Sequence, residues 1–376
     1  MNKRKVHNPF ILTGYVSAEY FCDRQKETEK LGSALYNGRN ITLISPRRMG
    51  KTGLIHHLFE QVEQEGIAKC FYVDLYQTDS LASLVKKLAD TVLGHLDTTQ
   101  ERIVKNVVSF FRNLRPMISI DAMTGEPGFC VNVAPERAEY SLKEVFEYME
   151  KSEIRCYVAF DEFQVVANYE DKNVEALLRS YIQKLTNVNF IFSGSRRGIL
   201  ENMFASASRP FYQSTQIIPL GEISADAYYD FAKKKYEEHS QLLRKDVFDY
   251  IYSKLYGHTW YIHAILNRLY ELKAETIEVA DVERVLTDSI LENEAMYQTI
   301  YGMITNMQAK VLHSVACENG VREVQSKNFI KKYNLGAASS VITSIKSLVD
   351  KELILNVNGE YQVYDRFFGI WLTTIS

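Results

Sequence analysis

The sequence predicts an α/β fold, a parallel sheet with helices on both faces, followed by an all-helical domain and a C-terminal winged helix. Three observations carry this. Short apolar runs at residues 41–44, 68–75, 156–160 and 188–192 alternate with stretches of helical periodicity, the rhythm of a doubly wound sheet. Residues 41–55 read as a strand, a turn carrying Pro46 and Gly50, and the start of a helix. From Ser224 the strand-like runs stop, and the chain closes on three helical stretches and a hairpin-like pair.

The strand 41–44 opens onto Ser45-Pro-Arg-Arg-Met-Gly-Lys-Thr52. Its spacing is that of a phosphate-binding loop, G-x-x-x-x-G-K-[ST], with serine at the first glycine. In such a loop backbone N–H groups surround the α- and β-phosphates, and a helix N-terminus is aimed at them. The expected nucleotide contacts are Ser45, Pro46, Arg47, Arg48, Met49, Gly50, Lys51, Thr52 and Gly53. Lys51 would reach the β/γ-phosphates, and the Thr52 hydroxyl would ligate Mg²⁺.

The other elements follow from their own patterns. Upstream, a helix is predicted from about Ser17, with Ala18, Phe21, Leu31 and Leu35 apolar and Gly38 as its stop. After the loop, Leu54, Ile55, Leu58, Phe59 and Val62 fall at helical spacing over 52–65. The strand 68–75 ends in Asp74, and a helix follows over 81–96. Residues 98–139 break the rhythm and read as an insertion. There Thr98-Thr-Gln-Glu101 is a capping box starting a helix toward Leu114, and strands 117–121 and 128–133 flank the turn Thr124-Gly-Glu-Pro-Gly128. A second capping box, Ser141-Leu-Lys-Glu144, opens a helix to about Lys151.

The run Cys156-Tyr-Val-Ala-Phe160 is a buried parallel strand ending in Asp161-Glu162. A helix over 174–185 leads to the strand 188–192, which ends in Ser193-Gly-Ser-Arg-Arg197, and 216–220 supplies one more strand. The loop, Asp161-Glu162 and 193–197 all fall at strand carboxyl ends, where an open parallel sheet binds its ligands. Helices are then predicted over 224–239, 245–255, 259–273 and 279–301. The tail reads as helices 308–318, 326–332 and 338–350 and a hairpin over 353–363 turning on Asn358-Gly359. The domains expected are 1–221 (with the insertion at about 98–139), 222–303 and 304–376.

Asp161 and Glu162 are the carboxylates best placed for chemistry. An aspartate there can hold the Mg²⁺ shell beside Thr52, and the next glutamate can orient the attacking water and accept its proton. Lys51, Asp161 and Glu162 are thus the catalytic candidates. The base-specificity motif N-K-x-D of GTPases is not found, which favours ATP. Ser193 and Ser195 sit where a polar residue contacts γ-phosphate or water, though serine at a strand end also serves as a turn former. Arg196, Arg197 and Arg209 are candidates for stabilising transition-state charge, with Arg47 and Arg48 inside the loop itself. His56 and His57 read as packing or surface residues.

Composition narrows the partners. The 376 residues are 46% hydrophobic and 24% charged, with net charge −3, so overall charge makes no case for nucleic acid or an anionic membrane. Residues 306–376 carry eight Lys/Arg against six Asp/Glu, and the would-be recognition helix 337–348 holds a single lysine among several serines. Phosphate anchoring draws on more. A protein partner or self-association is therefore at least as well supported as DNA. The five cysteines are scattered, with no zinc or disulfide pattern. No apolar run reaches bilayer length and the N-terminus is not a secretory signal, so a cytoplasmic protein without a membrane partner is expected.

Taken together, the motifs resemble those of the prokaryotic, archaeal-type P-loop ATPases of the STAND/AAA+ group. Phe21-Cys-Asp-Arg-Gln-Lys-Glu27 is similar to the group's F-x-x-R-x-x-E opening segment, and Ser45–Thr52 to its G-P-R-R-x-G-K-T loop. Phe160-Asp-Glu-Phe-Gln164 resembles its Walker B ending, Phe192-Ser-Gly-Ser195 its sensor strand, and Asp365-Arg-Phe-Phe-Gly-Ile-Trp371 its winged-helix ending. The resemblance implies a P-loop NTPase core with a parallel sheet, a helical lid and a winged helix, binding ATP or ADP with Mg²⁺. It further implies that Asn8-Pro9-Phe10 contacts the adenine, making Pro9 and Phe10 nucleotide-binding candidates. Two positions depart from the pattern: Ser45 replaces glycine, and Thr259, in Gly257-His-Thr-Trp260, replaces the lid proline of G-x-P. No nuclease-like domain or repeat array is expected after Trp371. The functions implied are an ATP-hydrolysing switch, a DNA-acting ATPase like the replication initiators, or a non-catalytic nucleotide-binding adaptor.

Overall fold

The computed structural model describes residues 6–93, 96, 115–120, 127–357 and 359–375, with 115–120 and 127–130 as backbone. The chain divides into two compact units, Thr13–Ile223 and Met1–Leu12 with Ser224–Ser376. In the first unit the apolar runs become strands β1 (Ile41–Ile44), β2 (Ala68–Asp74), β3 (Arg115–Ile120), β4 (Pro127–Asn132), β5 (Arg155–Asp161), β6 (Val188–Gly194) and β7 (Gln216–Pro219). Five of them form a parallel sheet in the order β2-β5-β6-β1-β7. β6 therefore lies between β1 and β5, with Ile44 opposite Gly194 and Phe160 opposite Phe192. This register brings the loop after Ile44, the Asp161-Glu162 pair and the Ser193–Ser195 turn to one edge.

Side chains alternate across a strand, so β5 serves two cores. Cys156, Val158 and Phe160 join the cluster beneath helices Leu81–Leu93, Ala138–Glu150 and Val174–Ile182. Tyr157 and Ala159 join the other, beneath Gln25–Tyr36 and Lys51–Gln64. Behind the site the first cluster is aromatic: Phe163 lies 4.7 Å from Phe192 and 5.5 Å from Phe211, ring centre to ring centre. Each fully buried phenylalanine contributes about 1.5–3 kcal/mol of transfer free energy. The cluster thereby fixes the backbone just after Glu162 and just before Ser193.

Several elements differ from the sequence expectation. The helix predicted from Ser17 begins only at Gln25, preceded by a short 3-10 turn at Ala18–Tyr20. Asp23 and Arg24 stand between them in the left-handed region (φ +50° and +66°), which a helix cannot contain. The helix Arg197–Ala205 and the 3-10 helix Phe163–Asn168 were not anticipated. The hairpin of the insertion is present as antiparallel β3 and β4, held to the helix Leu81–Leu93 where the Val131 amide donates to Asp90 at 2.8 Å. The helix predicted toward Leu114, the turn at Thr124 and the residue Asn358 lie outside the described residues.

The second unit contains helices Ala225–Glu237, Lys245–Lys254, Thr259–Glu271, Val279–Leu291 and Glu294–Gly302. The last two were predicted as one. They separate at Glu292-Asn293, where the Asn293 side-chain amide donates back to the Ser289 carbonyl at 2.8 Å. The winged helix follows, with helices Asn306–Glu318, Lys327–Lys332 and Ala338–Asp350, the hairpin Ile354–Val357 with Glu360–Val363, and an unanticipated helix Arg366–Thr374. Its first helix opens on a Thr305/Gln308 capping box.

Residues 6–12 pack with this second unit and not with the sheet among which the sequence reading placed them. The Asn8 amide donates to the Asn267 carbonyl (2.9 Å), the Asn267 amide to the Phe10 carbonyl (2.8 Å), and the Trp260 indole to the Leu12 carbonyl (3.2 Å). Phe10 itself fills the helical core against Phe231, Tyr236, His263 and Tyr270.

Because Phe192 joins sheet, helix and site-bearing turn, Phe192→Ala is expected to destabilise the chain by about 3–5 kcal/mol, read from the urea unfolding midpoint.

Candidate functional site

The loop between β1 and the helix Lys51–Gln64 owes its shape to two left-handed residues, Arg48 (φ +64°) and Gly50 (φ +93°). Glycine is needed at the second because a β-carbon resists that conformation most strongly at large positive φ. Ser45 is not among the positive-φ positions, so serine costs the backbone nothing there. Its hydroxyl instead donates to the Pro46 carbonyl at 2.9 Å. Lys51 is only 7% exposed and lays its ammonium on the loop's own acceptors, the Ser45 carbonyl (3.3 Å), the Pro46 carbonyl (3.2 Å) and Ser45 Oγ (3.4 Å). Burial lowers its pKa, while the Asp161 and Glu162 carboxylates push it back up. The loop is braced from below by Arg24, whose buried guanidinium donates to the Met49 carbonyl (3.1 Å) and to Glu27 (3.0 Å).

Asp161 is the junction. Its Oδ2 accepts from the Thr52 hydroxyl at 3.1 Å and from the Tyr72 phenol, and its Oδ1 from the Ser193 hydroxyl (2.5 Å) and the Glu162 amide (3.0 Å). The carboxylate is 5% exposed, and charge-assisted bonds of this kind are worth about 1.5–3 kcal/mol each. Burial, then the adjacent Asp161 charge, raises the Tyr72 pKa above its ordinary value.

Glu162 follows with a left-handed backbone (φ +55°), an unusual conformation for a non-glycine residue that turns the chain sharply out of β5. Its Oε2 accepts from the Ser195 hydroxyl (2.8 Å), the Ser195 amide (3.4 Å) and the Gln164 amide. Ser195 Oγ in turn accepts from Arg47 Nε at 3.1 Å. One chain of hydrogen bonds thus runs from the loop to the glutamate. Gln164 fits because residue 194 is glycine: a β-carbon there would stand 1.9 Å from Gln164 Oε1.

Of the residues anticipated from sequence, the fold joins Arg47, Thr52, Asp161, Glu162, Ser193 and Ser195 in one hydrogen-bonded cluster, and Lys51, Ser45 and Pro46 in a second within the loop. Met49 is buried, and a β-carbon at Gly53 would press the Phe21 ring at 3.3 Å. Arg197 pairs with Glu201 (2.8 Å) and Arg209 with Glu175, so both guanidinium groups are engaged by carboxylates of their own surroundings, while Arg196 stands at the N-cap of the helix Arg197–Ala205. Pro9 and Phe10 are buried in the other unit, and Phe10, 0% exposed, has no ring face left to offer a base. Sequence reasoning gave no role to Tyr72, which belongs to no motif spacing, or to Gln164, which it quoted only as the end of the Walker B-like segment. His56, read from sequence as a packing or surface residue, packs its ring 4.5 Å from that of Tyr72. The alternation of strand β2, with Cys70 and Tyr72 on the Lys51–Gln64 side, was the one available signal.

The donor set suits a hard cation. Thr52 Oγ1 gives its proton to the Asp161 carboxylate and so keeps its lone pairs for a cation, and no cluster of three His, Cys, Asp or Glu exists among the described residues to cage a metal alone. Mg²⁺ is held in this way, by one or two protein oxygens together with substrate phosphates.

Comparison with known proteins agrees with this geometry. Residues 21–265 match the family described as an ATPase domain predominantly from Archaea, and residues 295–374 match a probable winged helix domain. The chain belongs to that family of archaeal-type ATPases, with the fold of a P-loop ATPase and a C-terminal winged helix. Among solved structures it is similar to the Walker-type ATPase paby2304 of Pyrococcus abyssi, at TM-score 0.65 and 16% identity over 97% of this chain and 99% of that one. It is also similar to the ORC2 protein of Aeropyrum pernix in its ADPNP-ADP complexes (TM-score 0.55, 15% identity, 93% and 92% covered). The ORC1 protein of the same organism, in complex with DNA, gives TM-score 0.54 at 12% identity, with 97% and 96% covered. Among curated protein sequences none matches. No helix among the described residues is long and apolar enough to cross a membrane.

Two substitutions test the geometry. Ser45→Gly should bind nucleotide at least as well as the parent, by equilibrium fluorescence titration, because no positive φ is relieved and no phosphate contact through the backbone is lost. Gly194→Ala should expel the Gln164 amide from Glu162 and cut ATP turnover by about 10²-fold, the cost of misplacing a reacting group by an ångström, while ATP still binds.

Proposed function

We propose that this protein is an ATP-hydrolysing molecular switch, in which the nucleotide state sets the position of the winged helix for a protein partner or a second copy of the chain. The observation that carries the reading is the Thr52–Asp161 hydrogen bond at 3.1 Å, which joins the phosphate loop to the carboxylate pair of β5. In this reading the loop amides and Lys51 hold the phosphates, with Lys51 leaving the Ser45 and Pro46 carbonyls for the β/γ-oxygens. Thr52 would hold Mg²⁺, with Asp161 orienting the Thr52 hydroxyl and the ion's shell beside it; when bound, the ion supplies neutralisation of the charge developing on the β/γ-oxygens. Glu162 orients the attacking water and accepts its proton. Ser195 and Gln164 position Glu162, and Ser193 positions Asp161. Arg47, reaching Ser195 from the loop, is the arginine best placed to report occupancy of the loop to the glutamate.

A second reading, a DNA-acting ATPase, is favoured by the winged helix and by the fold shared with an ORC1 protein solved on DNA. Against it stands the helix Ala338–Asp350, whose exposed residues include Ser339, Ser340, Ile342 and Thr343 with Lys346 as their basic member. DNA binding would reveal itself as a salt-dependent mobility shift, and its absence at low salt rules that reading out.

Turnover of ATP with Mg²⁺, measured by phosphate release, tests the switch. Lys51→Ala should abolish nucleotide binding, and Glu162→Gln should keep binding but lower turnover by about 10²–10⁴-fold. Unaltered hydrolysis in Lys51→Ala overturns the proposal, and tight binding without turnover in the parent chain points to the non-catalytic adaptor.

A further inference from the structure

Three of the four donors on Asp161 come from segments already assigned to the site: Thr52 from the loop, Ser193 from β6 and the Glu162 amide from the next residue. The fourth, the Tyr72 phenol, comes from the middle of β2 and belongs to no nucleotide-binding motif. Its place follows from the sheet. β2 is the neighbour of β5, Tyr72 stands opposite Ala159, and its ring leans toward the helix that carries Thr52. On that helix the His56 ring packs against it at 4.5 Å, and the Tyr15 ring stacks on His56 at 6.3 Å. A phenol is protonated at neutral pH, so this group is a standing donor.

An Asp161 oxygen that accepts from both Thr52 and Tyr72 has both lone pairs committed. The carboxylate therefore cannot rotate, and the Thr52 hydroxyl, giving its proton to Oδ2, keeps its own lone pairs for a cation. We propose that Tyr72 is a positioning residue for the divalent ion, its phenol locking Asp161 and through it Thr52 in the metal-binding arrangement, with His56 as the ring that holds the phenol in place. The inference rests on the proposed Mg²⁺–nucleotide site and adds to it a residue outside the motifs. Removing a residue that hydrogen-bonds and orients a metal's ligands typically alters the metal's affinity by about 10–100-fold.

The test uses Mn²⁺ as the probe, its free ion counted by EPR, titrated into the full chain with ADP. Nucleotide affinity without metal is measured separately in EDTA with a fluorescent ADP. Tyr72→Phe keeps the ring and removes only the hydroxyl. It should weaken Mn²⁺ by about tenfold and leave the metal-free ADP affinity unchanged. His56→Ala should weaken Mn²⁺ in the same direction by less. Equal Mn²⁺ affinity in Tyr72→Phe and the parent overturns the inference, and so does a matching loss of metal-free ADP binding, which marks a merely structural role. Thr52→Ala separates this from the site itself. If the parent binds no Mn²⁺ with ADP, or Thr52→Ala does not weaken it, the site reading fails and this inference with it.

Discussion

The buried carboxylate of Asp161 ties together segments that lie far apart in the chain. It accepts hydrogen bonds from β2, from the helix after the phosphate loop, from β6 and from the following amide. A carboxylate with so little exposure is tolerated only when its lone pairs are satisfied, and removing a partner from a buried charge is strongly destabilising. The arrangement is possible because β6 lies between β1 and β5 in the sheet. Were β1 and β5 adjacent, Ser193 would have no place beside the aspartate. The chemistry of the site and the strand order are in this sense one constraint.

Next to it, Glu162 is held in a quite different manner. Its left-handed backbone carries it out of the strand, and its carboxylate is received by Ser195 and Gln164. The aromatic layer of Phe160, Phe163 and Phe192 holds the backbone rigid on both sides of this contact. Rigid packing beneath and a short polar chain above give a glutamate whose position is set by hydrogen bonds rather than by burial, and Arg47 links that chain to the loop.

The second unit is built on a different economy of contacts. Its N-terminal strap is stitched to the helix Thr259–Glu271 by reciprocal amide–carbonyl bonds between Asn8, Phe10 and Asn267. Phe10 packs into the aromatic core of the helical unit, among Phe231, Tyr236, His263 and Tyr270. Residues distant in sequence thus complete a core that would otherwise be left with a cavity, which is costly at any buried aromatic site.

The sequence by itself determined the α/β alternation, the phosphate loop, the carboxylate pair and the polar turn after β6, because each is encoded locally by periodicity, spacing or a strand-final polar residue. It placed the first helix of the winged helix from Gln308 and left unread the Thr305/Gln308 capping box that starts it. It misplaced the start of the first helix, because the left-handed Arg24 is chosen by a distant carbonyl, that of Met49. It could not give Tyr72 or Gln164 their roles, which depend on which strand lies beside β5 and on the missing side chain of Gly194. Nor could it tell that serine suits the first position of the loop. That depends on a backbone angle, and only the folded turn, with its left-handed strain at Arg48 and Gly50, decided that Ser45 would need none of glycine's freedom.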